Sequence, residues 1–174
     1  MVSKFIRETE IKFVADEDIL SKISSIKFEP YEEIDEYFTT KQMLDSFTFL
    51  RIRKKNGKTI LQLKDVLAGA DQTKDCYDSD ELHLELNDEQ YEKIRKMLLA
   101  TFPHNFIVKK IRNKGHRNDC EICLDKVEDL GMFLEIEGEK EKILEICEEL
   151  GLDLDKRDKG RGYAIMMADK KGLL

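Results

Sequence analysis

An α+β fold is what this sequence predicts, and three features predict it. About seven short segments alternate charged with aliphatic residues, most of them are joined by hairpin turns, and helical stretches with a single apolar stripe lie between them. A sheet cannot leave its aliphatic face in water, so the helices are expected to cover that face. The charged face is then either the outside of an open sheet or the inside of a closed one. A length of 174 residues suits a single domain spanning 1–174.

The opening strand, residues 5–14, contains Glu8-Thr9-Glu10-Ile11-Lys12. Alternate side chains share a face, so Glu8, Glu10 and Lys12 point one way and Thr9, Ile11 and Phe13 the other. Asp16-Glu17-Asp18 followed by Ile19, Leu20, Ile23 and Ile26 gives a short capped helix that Pro30 closes off. Residues 35–40, aromatic and β-branched, read as a strand. Residues 47–54 and 59–64 form a hairpin about Asn56-Gly57, a favoured two-residue turn. It brings Arg51 and Arg53 beside Lys64. Residues 66–79 read as a polar loop.

Glu81-Leu82-His83-Leu84-Glu85-Leu86 then alternates strictly, with His83 expected as a surface or network histidine. Asn87 caps a helix running to Phe102, with Tyr91, Ile94, Met97 and Leu98 on its buried stripe. Strands follow at 107–113, carrying Lys110 and Arg112, at 120–127 after a turn centred on Gly115, and at 133–137, carrying Glu135 and Glu137. Gly138 opens a helix to Leu150, stopped by Gly151. Cys120 and Cys123 form a Cys-x-x-Cys. A spacing of three puts their sulfurs on opposite strand faces, and no second pair completes a tetrahedral metal site.

Composition narrows function. Charged residues make up 39% of the chain, and 30 basic against 37 acidic residues leave a net charge of −7. That balance argues against general binding to nucleic acid or to an anionic membrane. No apolar run approaches the roughly 20 residues that span a bilayer, and the first residues carry no signal-peptide core, so a soluble, cytoplasmic protein is expected. If the sheet closes, its charges face a narrow lumen and must be paired or liganded, because burying an isolated ion costs several kcal/mol. A polyphosphate anion with divalent cations satisfies both signs: arginine forks match phosphate, and Mg²⁺ is held by one or two carboxylates plus substrate phosphates.

The ordered set of motifs resembles the CYTH superfamily of class IV adenylyl cyclases and thiamine triphosphatases, also called triphosphate tunnel metalloenzymes, and is closest to its cyclase-like microbial branch. The matching stretches are 8–12, 35–38, 50–53, 61–64, 108–112 and 124–137. The resemblance implies a closed antiparallel eight-stranded β-barrel, with helices outside, that binds a triphosphate group with Mg²⁺ or Mn²⁺. It places Glu8, Glu10, Asp125, Glu135 and Glu137 at the metal. Lys12, Arg51, Arg53, Lys64, Lys110 and Arg112 fall on the phosphates, and Lys12, Glu10 and Glu137 at the reaction. Glu81 and Glu85 approximate a further acidic strand. Segment 152–174 is expected to close one end, with Arg161 and Tyr163 near the substrate.

Val2 and Ser3 stand where class IV cyclases resemble one another in a His-Phe pair, and the chain has no tryptophan platform for thiamine. Hydrolysis of inorganic tripolyphosphate or a nucleoside or other organic triphosphate is therefore expected ahead of conversion of ATP to cyclic AMP and pyrophosphate. A non-catalytic polyphosphate- or nucleotide-binding module is the third reading. The expected partner is a triphosphate-bearing small molecule, with neither nucleic acid nor membrane, and the resemblance admits a homodimer.

Overall fold

The computed structural model describes residues 3–66, 75–158 and 162–174. Eight strands close into an antiparallel barrel in the spatial order β1-β5-β4-β3-β2-β6-β7-β8. They are β1 (Ser3–Val14), β2 (Glu29–Thr39), β3 (Thr48–Lys55), β4 (Lys58–Val66), β5 (Tyr77–Leu86), β6 (His104–Arg117), β7 (Cys120–Val127) and β8 (Gly131–Glu137). The helices are α1 (Glu17–Lys22), α2 (Lys41–Asp45), α3 (Asp88–Thr101), α4 (Lys140–Glu149) and α5 (Tyr163–Lys170). No helix among the described residues is long and apolar enough to cross a membrane.

The alternation in sequence becomes two separate environments. Outward residues Ile11, Phe13, Ile122, Leu134 and Ile136 pack under Ile19 of α1, Ile23 at its C-cap, and Ile143, Ile146 and Cys147 of α4. Phe38, Leu50 and Ile52 pack under Met43 of α2 and Tyr91, Ile94 and Leu98 of α3. Burial of these aliphatic faces outside the barrel is the hydrophobic driving force, and it leaves the opposite, charged face of every strand inside. Asp16 and Asn87 cap α1 and α3 through their side chains as expected, the latter in a full capping box with Gln90. Met97 departs from the expected stripe. It is 68% exposed, on the flank of α3 beyond Tyr91, Ile94 and Leu98, which pack on Phe38, Leu50 and Ile52.

Several boundaries differ from expectation. Pro30 lies within β2, opposite Asn113 near the barrel rim, where a missing N–H is tolerated. β5 begins at Tyr77, inside what reads as a loop, while residues 67–74 of that stretch lie outside the described residues. α2 carries no signal strong enough to have been anticipated. The turn after β6 is not at Gly115. It is at Asn118-Asp119, both at positive φ (47° and 64°), as at Asn56-Gly57 (49° and 74°).

Gly115 instead sits inside β6, because the chain at Ile26 and Lys27 crosses it closely: a Cβ there would lie 2.7 Å from Ile26 Cγ2 and 2.8 Å from the Lys27 carbonyl oxygen. Gly115→Ala should therefore destabilise the protein by about 1–3 kcal/mol, the usual cost of overpacking. An unchanged urea midpoint would contradict that close approach.

Candidate functional site

The inward faces enclose a cavity of about 370 Å³. One end is stopped by apolar contacts: Tyr163, Ala164, Ile165, Met167 and Ala168 of α5 pack on Tyr37, Phe49, Phe106, Val127 and Phe133. From that end β3 runs outward through Arg51 and Arg53 to Lys55, and β6 through Lys110 and Arg112 to Lys114. Among the described residues α5 covers that end of the tunnel, and Lys4, Lys55 and Lys114 lie at the other.

The deep cations are held by carboxylates on neighbouring strands. Arg53 makes a bidentate pair with Asp35 (Nε–Oδ1 2.6 Å, Nη2–Oδ2 2.7 Å) and reaches Glu33 at 2.9 Å. Arg51 donates to Gln62 and to the Tyr37 hydroxyl, both at 2.9 Å, and lies 3.5 Å from Asp35. Lys110 bridges Glu33 (2.9 Å) and Asp125 (3.2 Å). Arg112 forks onto Asp125 (2.8 and 2.6 Å) and also meets Glu135 and, at 3.7 Å, Glu137. Lys12 sits 3.0 Å from Glu135 and 4.3 Å from the centre of the Tyr163 ring, whose hydroxyl donates to Asp125 at 3.0 Å. Lys64 gathers Glu81 (3.0 Å), Glu10 (3.5 Å) and Glu8 (3.8 Å).

These environments split the carboxylates in two. Burial alone would raise the pKa of Glu33 and Glu135, but Arg53 and Lys110 around the first, and Lys12 and Arg112 around the second, hold both well below the ordinary range. Glu137 goes the other way. Burial, reinforced by Glu135, Glu10 and Glu8 against the opposing pull of Arg112, pushes it up to about 8. Glu8 is also raised, by burial and by Glu81. Glu8 and Glu137 are therefore carboxylates short of positive charge.

Most of the residues singled out from sequence line this cavity: Glu8, Glu10, Lys12, Arg51, Arg53, Lys64, Glu81, Lys110, Arg112, Glu135, Glu137 and Tyr163. Two do not. Asp125 is fully buried behind Arg112, where Arg112, Lys110 and Tyr163 occupy its oxygens, so it positions a cation instead of facing a ligand. Glu85 lies past the barrel rim, its side chain 56% exposed and 2.9 Å from Lys58. Arg161 lies outside the described residues.

The structure adds Glu33, Asp35 and Gln62, all buried beneath the arginines. The signal of Glu33 and Asp35 was the period-two run Glu33-Asp35-Tyr37, which the strand boundary expected at Asp35 cut short; that of Gln62 was its alternation with Lys64 in β4. His83 lines the tunnel, with Nε2 2.5 Å from Glu81 and 2.6 Å from the Gln62 amide. Cys120 and Cys123 stand on opposite faces: Cys120 in the outer core, Cys123 inside against Glu121.

A divalent cation suits this donor set. Among the described residues no three side-chain donors already converge as a cage, because the glutamates are turned toward Lys64, Lys12 and Arg112. A preformed cage is not what Mg²⁺ needs, since it takes one or two carboxylates and completes its shell with phosphate and water. Glu8, Glu10 and Glu137 supply hard oxygens, and two of the three are short of positive charge.

The CYTH domain profile matches residues 7–154. The chain belongs to the CYTH family. Among solved structures it is similar to a conserved hypothetical protein from Pyrococcus furiosus (27% identity, 90% of this chain and 97% of that one, TM-score 0.70). It is also similar to a protein from Pyrococcus horikoshii (30% identity, 87% and 94%, TM-score 0.69). A Hippeastrum protein described as an adenylyl cyclase candidate with a dominant triphosphatase activity shares the fold (16% identity, 96% and 97%, TM-score 0.60). None of the curated proteins compared with the chain matches it significantly. CYTH membership supports an enzyme of the triphosphate-tunnel kind.

The Glu137 environment has a pH signature. Its carboxyl holds a proton in the folded state up to about pH 8, but releases it near the ordinary carboxylate range when unfolded. Its contribution is complete below the unfolded pKa, and is lost as pH rises toward 8. In chelator, Glu137→Gln should therefore gain thermal stability relative to wild type between pH 5 and pH 8 and level off above. A stability difference that stays flat over that range would contradict the raised value.

Proposed function

We propose that the tunnel binds the triphosphate group of a small molecule together with Mg²⁺ or Mn²⁺ and hydrolyses it. Inorganic tripolyphosphate or a nucleoside or other organic triphosphate is the substrate. The observation that carries this reading is the tunnel itself. Lys12, Arg51, Arg53, Lys64, Lys110 and Arg112 converge on its lumen, with Glu8, Glu10 and Glu137 beside them. An incoming triphosphate gives the cations phosphate oxygens in exchange for part of their carboxylate partners. The carboxylates so released are the ones a divalent cation needs, and the charge balance of the lumen is kept.

The residues divide the work. Arg51 and Arg53, fixed from behind by Asp35, Glu33 and Gln62, present guanidinium groups whose position is set before substrate arrives. Arg112 is fixed in the same way by Asp125. Lys12 lies at the deep end on Tyr163. Burial would favour loss of its proton, but Glu135 and Glu10 hold its pKa above the ordinary lysine range. It therefore stays an ammonium ion and stabilises charge on the transferring phosphoryl group; it is not a general base. A divalent cation, when bound by Glu8, Glu10, Glu135 or Glu137, supplies Lewis-acid polarisation and charge neutralisation. In-line attack then rests on positioning, which the covered end enforces by fixing how far the chain of phosphates can enter.

Product analysis tests this. ATP and tripolyphosphate are each incubated with Mg²⁺, with Mn²⁺ and with chelator. Orthophosphate release that chelator abolishes is expected, falling at least about a hundredfold in Glu10→Gln with the thermal midpoint retained. Unchanged turnover in that variant would remove Glu10 from the reaction, and cyclic AMP with pyrophosphate would make the protein a cyclase.

A further inference from the structure

Lys55 breaks the pattern that the deeper cations obey. Each of those has a carboxylate within 4 Å, and so does Lys114 through Glu121. Lys55 lines the cavity and has no such partner among the described residues, and Lys4 at the rim is the same. Strand alternation turns it inward: its neighbour Lys54 points out and lies 4.1 Å over the Tyr91 ring. In register Lys55 faces Lys58 across the hairpin, a like-charge pair that costs stability, and on its other side Glu33 of β2, whose carboxylate is held by Arg53 and Lys110. Lys58 is relieved by Glu85 at 2.9 Å; Lys55 is not. Burial and then Arg53 lower its pKa, Glu33 opposes them, and Arg112 and Arg51 add smaller contributions in the lowering direction. A half-buried ammonium kept among arginines at the tunnel mouth is a fold-level liability, and an anion would cancel it.

The position of that anion follows from the topology. Arg51, Arg53 and Lys55 are successive inward residues of β3, about 6.6 Å apart, leading from the closed end to the open one. With α5 closing the deep end, whatever a ligand carries beyond its triphosphate must lie against Lys55 and Lys4. Among the described residues the rings lining the open end are Tyr31 and the imidazole of His83, in register with Lys4 and engaged by Glu81 and Gln62, which leaves little platform for a nucleobase.

We propose that the mouth is a further phosphate subsite with Lys55 as its specificity-determining residue, and that the tunnel selects linear inorganic polyphosphate of four or more phosphates over nucleoside triphosphates. This rests on the reading of the deeper lumen as a triphosphate site. The test is titration calorimetry in chelator with tripolyphosphate, tetrapolyphosphate and ATP, on wild type, Lys55→Gln and Lys58→Gln. The last removes the same charge from the outer rim.

Wild type should bind tetrapolyphosphate roughly tenfold more tightly than tripolyphosphate or ATP, the scale of one added charge-assisted hydrogen bond. Lys55→Gln should reduce that ratio to about twofold or less. Its tripolyphosphate affinity should be nearly unchanged and its thermal midpoint no lower than wild type, whereas Lys58→Gln should keep the ratio. A ratio retained in Lys55→Gln, or equal losses for both inorganic anions, would overturn the assignment of Lys55. Tripolyphosphate binding without any preference for the longer chain, or ATP binding as tight as tetrapolyphosphate, would overturn the subsite alone. Failure of wild type to bind any of the three, in chelator and again with Mg²⁺ present, would overturn the tunnel reading and the subsite with it.

Discussion

Asp35, 1% exposed, lies between two arginines, and much of the site depends on that arrangement being repeated around the barrel. Glu33 stands between Arg53 and Lys110, Asp125 between Lys110 and Arg112, and Glu135 between Arg112 and Lys12. Asp35 and Asp125 each hold two cations of one strand together, while Glu33 ties a cation of β3 to one of β6 and Glu135 ties a cation of β6 to one of β1. Removing one partner would leave an uncompensated charge, typically at about 3–5 kcal/mol, so the set stands or falls together. A lumen packed with aliphatic residues is often no less stable than such pairs. A ligand of both signs, exchanged for part of the pairing, accounts for a charged lumen better than stability does.

Closure makes this arrangement affordable. In an open sheet the same side chains would be screened by water and each pair would be worth about 1 kcal/mol or less. Strand pairing puts Lys12 of β1 across from Glu135 of β8, and Arg112 of β6 across from Asp125 of β7, and closure takes both pairs out of water. What holds the roll is outside it, in the clusters formed with α1, α4, α2 and α3. The aromatic and aliphatic contacts of α5 then cover one end, so the polar and apolar halves of the molecule cooperate in defining how deep a ligand goes.

Much of this was legible in the sequence because a period of two is a local signal with a global consequence. Once the aliphatic residues of a strand must face helices, the alternate residues have one other place to be. Glu10 and Lys12, Arg51 and Arg53, Lys110 and Arg112, and Glu135 and Glu137 all followed from that rule, with the resemblance supplying their roles. The rule fails at strand ends. Glu85 has the right parity but lies past the rim, and alternation alone does not say where a barrel stops. Pro30 and Gly115 read as breaks, yet each sits inside a strand: one near the rim, where its missing donor is harmless, the other where a neighbouring segment passes too close for a Cβ. That misplaced start of β2 hid Glu33. Which carboxylates are consumed by arginines and which stay short of positive charge is a property of three-dimensional neighbours, and no spacing encodes it.

The most direct test of the central claim is a crystal structure of the protein with tripolyphosphate and Mn²⁺, using the anomalous signal of manganese to locate the ion. Anomalous density among Glu8, Glu10 and Glu137, with phosphate oxygens on Arg51, Arg53 and Arg112, is the expected result. Manganese and anion confined to the outer surface, with the ion pairs of Asp35, Glu33 and Glu135 intact around an empty lumen, would contradict it.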